Sequence, residues 1–187
     1  MRKGRGSASS RQLPSIPGER VLPTNVTAPR RILILGLGNT ILGDDGVGIS
    51  VVREIRKTCK ERPFVECVEA SLGGIALLDL IAGFDKVIVI DAVMADDANP
   101  AGFVYDLALG DLGDVVHPHA SHALDLQTTV ELGKRLGQSM PSAVKIYAIK
   151  IEENTVFREG LTPPVEEAVS RLARRVIDEI ERPWDHS

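Results

Sequence analysis

RILILGLGNTILGDDGVGIS, residues 31–50, decides how this chain is read. Its apolar run, residues 32–35, reads as a buried strand, and Gly36 and Gly38 break that run into a polar turn carrying Asn39, Asp44 and Asp45. Beyond the turn, Val47, Val51, Val52 and Ile55 recur at helical spacing, while Arg53, Glu54, Arg56 and Lys57 take the opposite side. The stretch therefore predicts strand, acidic glycine-rich loop, helix. Asp44 is expected to cap the helix that starts near Gly46, which leaves Asp45 for another role.

The glycines invite a nucleotide reading that the neighbouring residues reject. A dinucleotide fingerprint needs GxGxxG, but Gly36, Gly38 and then Ile41 leave the third glycine missing. Two acids also stand at the helix start, where a pyrophosphate would be repelled. No GxxxxGK[ST] motif occurs, and Ser121-His122 lacks the GxSxG elbow of a serine hydrolase.

Moving outward, residues 64–69 form a short predicted strand, 71–74 a turn, and Gly74, Leu77, Leu78 and Ile81 one face of a helix. Residues 87–90 are a continuous β-branched run, as expected for a strand buried on both faces of a parallel sheet, and the run ends at Asp91. A further strand is expected over 102–107, then a loop over 108–121 holding His117 and His119. A helix is expected from His122, capped by Ser121, with Leu126, Val130, Gly133 and Leu136 on one face. Residues 144–149 give another strand. Thr162 followed by Pro163 predicts a helix start with a threonine N-cap, and the apolar spacing runs on to a stop at Pro183. This alternation predicts an α/β fold, a three-layer sandwich with a mostly parallel twisted sheet covered by helices on both faces and room for one antiparallel strand.

With 187 residues, 43% of them hydrophobic and 26% charged, the chain suits one core. Residues 31–183 are expected to form that single domain. Residues 1–29, rich in Arg, Ser, Pro and Gly with Glu19 as the only acid, are expected to be a flexible tail. A net charge of −4 gives no reason to expect nucleic-acid binding. No apolar run reaches the ~18 residues of a membrane span, and Arg30-Arg31 before the first strand is not followed by a cleavage site. Cys59 and Cys67 form no CxxC and are expected to be thiols in a reducing cytoplasm.

In a largely parallel sheet, ligands bind beyond the carboxyl ends of the strands. That rule selects Asn39, Asp44 and Asp45 after the first strand and Asp91 after the central one. Asp91 suits a ligand and a hydrogen-bonded turn residue equally, while loop solvation is the simpler expectation for His117 and His119. At a helix start, His122 is held neutral by the positive helix end and keeps a lone pair for a metal. Two carboxylates and an imidazole together would suit a divalent transition metal.

GLGNTILGDDGVG at 36–48, VIVIDAV at 87–93, SHALDL at 121–126 and GLTPPVEEAV at 160–169 together resemble the hydrogenase maturation proteases, over residues 31 to about 181. The resemblance implies an endopeptidase that trims the C-terminal extension of the [NiFe]-hydrogenase large-subunit precursor. It assigns the catalytic and metal-site roles to Asp45, Asp91 and His122. The nickel it implies is carried by the precursor rather than held permanently by the protease. It leaves open whether a nickel Lewis acid or an aspartate base activates the attacking water. The family's TAG-like turn corresponds to Leu72-Gly73-Gly74, which keeps one glycine and departs at the other two places. The expected partner is that precursor, met in the cytoplasm by a monomer. The alternative is a non-catalytic chaperone that binds the metallated precursor.

Overall fold

A computed structural model describes residues 30–109, 111, 126–152 and 157–182. Five strands form one sheet: β1 Ile32–Leu37, β2 Val65–Ala70, β3 Lys86–Val93, β4 Val104–Ala108 and β5 Ala143–Lys150. Their order is β2-β1-β3-β5-β4, with every pairing parallel except that of β4 with β5. Helix α1 spans Val47–Cys59, α2 Leu78–Ile81, α3 Leu126–Arg135 and α4 Pro163–Glu181, with tight 3-10 turns at Gly43–Gly46 and Gly74–Leu77.

The period-two alternation of the strands divides the core between two faces. Ile32, Ile34, Ile88, Ile90, Tyr147 and Ile149 pack under α1 and α4. Leu33, Leu35, Val87, Val89 and Ile146 pack under α2 and α3. This is the expected sandwich, and the antiparallel strand is β4, on the sheet edge.

Several local expectations change. β3 does not stop at Asp91 but runs to Val93, because β5 continues to pair with it as far as Lys150. α2 is a single turn entered through a 3-10 turn, with Gly74 at a φ of +60°. Leu136 is exposed, because α3 ends at Arg135 and the chain turns away there. Thr162 does stand at the N-cap of α4, but its hydroxyl caps nothing in that helix. The expected tail (1–29), most of the 108–121 loop, the Ser121-His122 helix start and Pro183 lie outside the described residues.

Candidate functional site

β1 has β2 on one side and β3 on the other, so the chain leaves it in one direction and returns in the other. That reversal is the topological switch point, where a crevice opens beyond the strand ends. Asp45 follows β1. Asp91 lies in β3, and β1–β3 pairing ends at Gly36↔Ile90, so Asp91 is the first β3 residue beyond β1's reach. Both acids therefore border the switch point.

Two glycines hold this arrangement tight. A Cβ on Gly48 would lie 2.3 Å from the Ile90 carbonyl oxygen and 2.4 Å from that of Leu37, so the first turn of α1 is wedged against the end of β1 and against β3. Gly38 has a φ of +131°, and a Cβ there would lie 1.9 Å from the Asp45 carbonyl oxygen. The turn Gly43–Gly46 consequently touches β3.

The two loop acids divide their work differently from expectation. Asp44 does not cap α1; it is 4% exposed, and its carboxylate accepts from the Thr162 backbone N–H at 2.6 Å and from the Thr162 hydroxyl at 2.7 Å. It thus ties the acidic loop to the start of α4. A second tie joins the same segments, a bridge pairing Leu42 with Arg158 in which the Arg158 N–H donates to the Ile41 carbonyl at 3.2 Å. Asp45 is half-buried, with Oδ2 accepting from the Asn39 N–H at 2.6 Å. That bond orients the carboxylate through one oxygen.

Asp91 is 1% exposed, and its Oδ1 accepts from the Ala92 N–H at 2.9 Å. By alternation it faces the same side as Val89 and Val93, the side covered by α3. His122 lies four positions before the first residue of α3 and outside the described residues, as do His117 and His119. Among the described residues, no three His, Cys, Asp or Glu side chains stand close enough to hold a metal ion.

A polar cluster absent from the sequence reading lies at the same end of the same face. Lys150, buried at the end of β5, donates to the Asp97 carboxylate at 2.6 Å and to its carbonyl at 2.7 Å. The Tyr105 hydroxyl donates to the other Asp97 oxygen at 2.5 Å, and these bonds hold the Asp97 carboxyl far below the usual carboxylate range. The loop leaving β3 is thereby clamped. The sequence signal was a single lysine interrupting the apolar end of β5.

A sequence profile of hydrogenase maturation proteases matches residues 49–179. The Hydrogenase 2 maturation protease of Escherichia coli is 25% identical over 159 residues, covering 79% of this chain and 88% of its own. The Coenzyme F420 hydrogenase subunit delta of Methanothermobacter thermautotrophicus is 27% identical over 157 residues, covering 80% and 94%. In fold, the chain is similar to the hydrogenase maturating endopeptidase HybD from E. coli, with TM-score 0.66, 24% identity and coverage of 80% and 91%. It is also similar to the [NiFe] hydrogenase maturation protease HycI from Thermococcus kodakarensis, with TM-score 0.62, 21% identity and coverage of 83% and 96%. The profile match spans well over half of the chain. The chain belongs to the hydrogenase maturation protease family.

Proposed function

We propose that this protein is an endopeptidase that removes the C-terminal extension of a nickel-loaded [NiFe]-hydrogenase large-subunit precursor. The nickel is part of the substrate. Asp45, Asp91 and His122 would complete its coordination, so that affinity follows metal loading of the precursor. The observation that supports this reading is that Asp45 and Asp91 both border one switch point, with Gly48 packed closely against the end of β1 and against β3. Carboxylate oxygens with an imidazole suit Ni(II), and the burial of Asp91 strengthens its attraction for a cation by excluding water. Cytoplasmic action as a monomer, with residues 1–29 as a tail on a domain of residues 31–183, belongs to the same proposal.

The test is the intact mass of a nickel-loaded precursor before and after incubation. The wild-type protein should shorten it at the C-terminus, and Asp45→Asn and Asp91→Asn should leave it whole. A precursor left intact by the wild-type protein would contradict the reading.

One observation favours a second reading, in which the chain holds the metallated precursor without cutting it. The M. thermautotrophicus relative, 94% of whose length is matched, is named as a hydrogenase subunit. A stable complex with the precursor mass unchanged would establish that reading.

A further inference from the structure

Large apolar side chains are exposed at few places among the described residues: Ile41, Leu72, Ile75, Phe103, Leu136 and Phe157. Singly, such residues mean little; a contiguous group means more. Leu136 stands at the opposite end of the sheet, beside the turn into β5. The other five stand at the end that carries Asp45 and Asp91, in segments that follow β1, β2 and β5 or precede the antiparallel β4.

Four of them lie on a belt of segments tied to one another. The Ser71 hydroxyl donates to the Gly38 carbonyl at 2.7 Å and the Gly38 N–H to the Ala70 carbonyl at 3.2 Å, joining the Leu72–Ile75 turn to the loop of Ile41. The Leu42↔Arg158 bridge then joins that loop to Phe157. Ile41 is 53% exposed, Ile75 69% and Phe157 76%. Between Thr40, Gly43, Gly160 and Leu161 a pocket of about 160 Å³ opens beside the bridge. Arg53, its one charged lining residue, is paired with Glu69 at 2.9 Å.

The charge pattern of the belt identifies what it takes. In a chain that is 26% charged, residues 36–43 and 70–78 carry no charged side chain, and Arg158 and Glu159 beside Phe157 cancel. A charged partner segment would lose its hydration against residues 36–43 and 70–78 and find no counter-charge within them, whereas an uncharged apolar segment loses only unfavourable contact with water. We infer that the belt of Ile41, Leu72, Ile75 and Phe157 is the docking surface for an uncharged, apolar segment of the protein substrate, seated beside the acids. This rests on the endopeptidase reading for the identity of the substrate. Ile41 and Phe157 set specificity by binding and take no part in the chemistry.

The test uses Ile41→Lys, Phe157→Lys and the double variant, whose exposed positions leave the core intact, with Kd for a nickel-loaded large-subunit precursor measured by interferometry and cleavage followed by mass. The double variant should melt like the wild type and bind roughly tenfold or more weakly, as expected when an apolar anchor is lost. Ile41→Val and Phe157→Leu should restore wild-type Kd. Unchanged Kd in the double variant would overturn the inference while leaving the endopeptidase reading intact. Wild-type binding without cleavage, weakened by the lysines, would overturn the endopeptidase reading and support the surface. A wild-type dimer that the lysines convert to monomers, with precursor affinity unchanged, would overturn the inference by giving the belt to a second copy of the chain.

Discussion

Asp44 and Asp45 are chemically identical neighbours with different tasks, set by what each side chain meets. Asp44 joins two loops 118 positions apart in sequence. Replacing it with alanine leaves the Thr162 N–H and hydroxyl without their acceptor, which costs about 2 kcal/mol. For a chain of this size, that lowers Tm by roughly 4–8 °C, measurable by calorimetry. Processing should fall with it, because the tie that fixes the Asp45 turn is lost. Asp91→Asn keeps an oxygen for the Ala92 N–H and should preserve a cooperative melt while lowering processing by roughly 100-fold or more, since the proposed ligand should matter at least as much as the groups that support ligands. An Asp91→Asn protein that cuts at the wild-type rate would remove that residue from the site.

At the scale of elements, the site depends on how closely α1 approaches the sheet. Gly48→Ala would place a methyl group against two backbone oxygens that have no rotamer by which to yield. We expect a loss of about 3 kcal/mol in urea unfolding, at the upper end of ordinary overpacking, and impaired processing as Asp45 shifts relative to Asp91. The glycines were legible in the sequence as punctuation between strand and helix. Their stronger role, letting α1 touch β1 and β3 together, depends on a strand some forty positions further on and was not legible. The alternating strands, the two-faced burial of β3 and the Thr162-Pro163 helix start were legible because each is a local pattern. The end of β3 was misplaced because a neighbouring strand, not composition, decides how far pairing continues. The same distance hid the Asp44–Thr162 tie and the Asp97–Lys150 clamp. Of the candidate site, the strand-end rule selected Asn39, Asp44, Asp45 and Asp91, and only the family resemblance singled out Asp45 and Asp91 together with His122.

Across the whole molecule, charge is organised as a network that links the last helix to the sheet. Glu179 receives Lys86 at 2.5 Å and the Tyr147 hydroxyl at 2.5 Å, with Lys145 at 3.3 Å. Burial alone would raise the Glu179 carboxyl, but these donors hold it below its ordinary value, while burial and Glu179 push Tyr147 up to about 12. Because Glu179 binds its proton less readily when folded, its stabilisation is fully present above the unfolded carboxylate value of about 4.3. It is lost as pH falls through the lower folded value. Tm should therefore decline on acidification below about pH 4.3, and Glu179→Gln should flatten that decline while lowering Tm at neutral pH. An unchanged acid limb in the variant would show that other carboxylates govern it. Recognition of a metal carried by the substrate is central to the proposed function. The most direct measurement is the intact mass of large-subunit precursor incubated with this protein in nickel-loaded and nickel-free forms side by side. The loaded form alone should be shortened at its C-terminus; equal cleavage of both forms would contradict recognition of the metal.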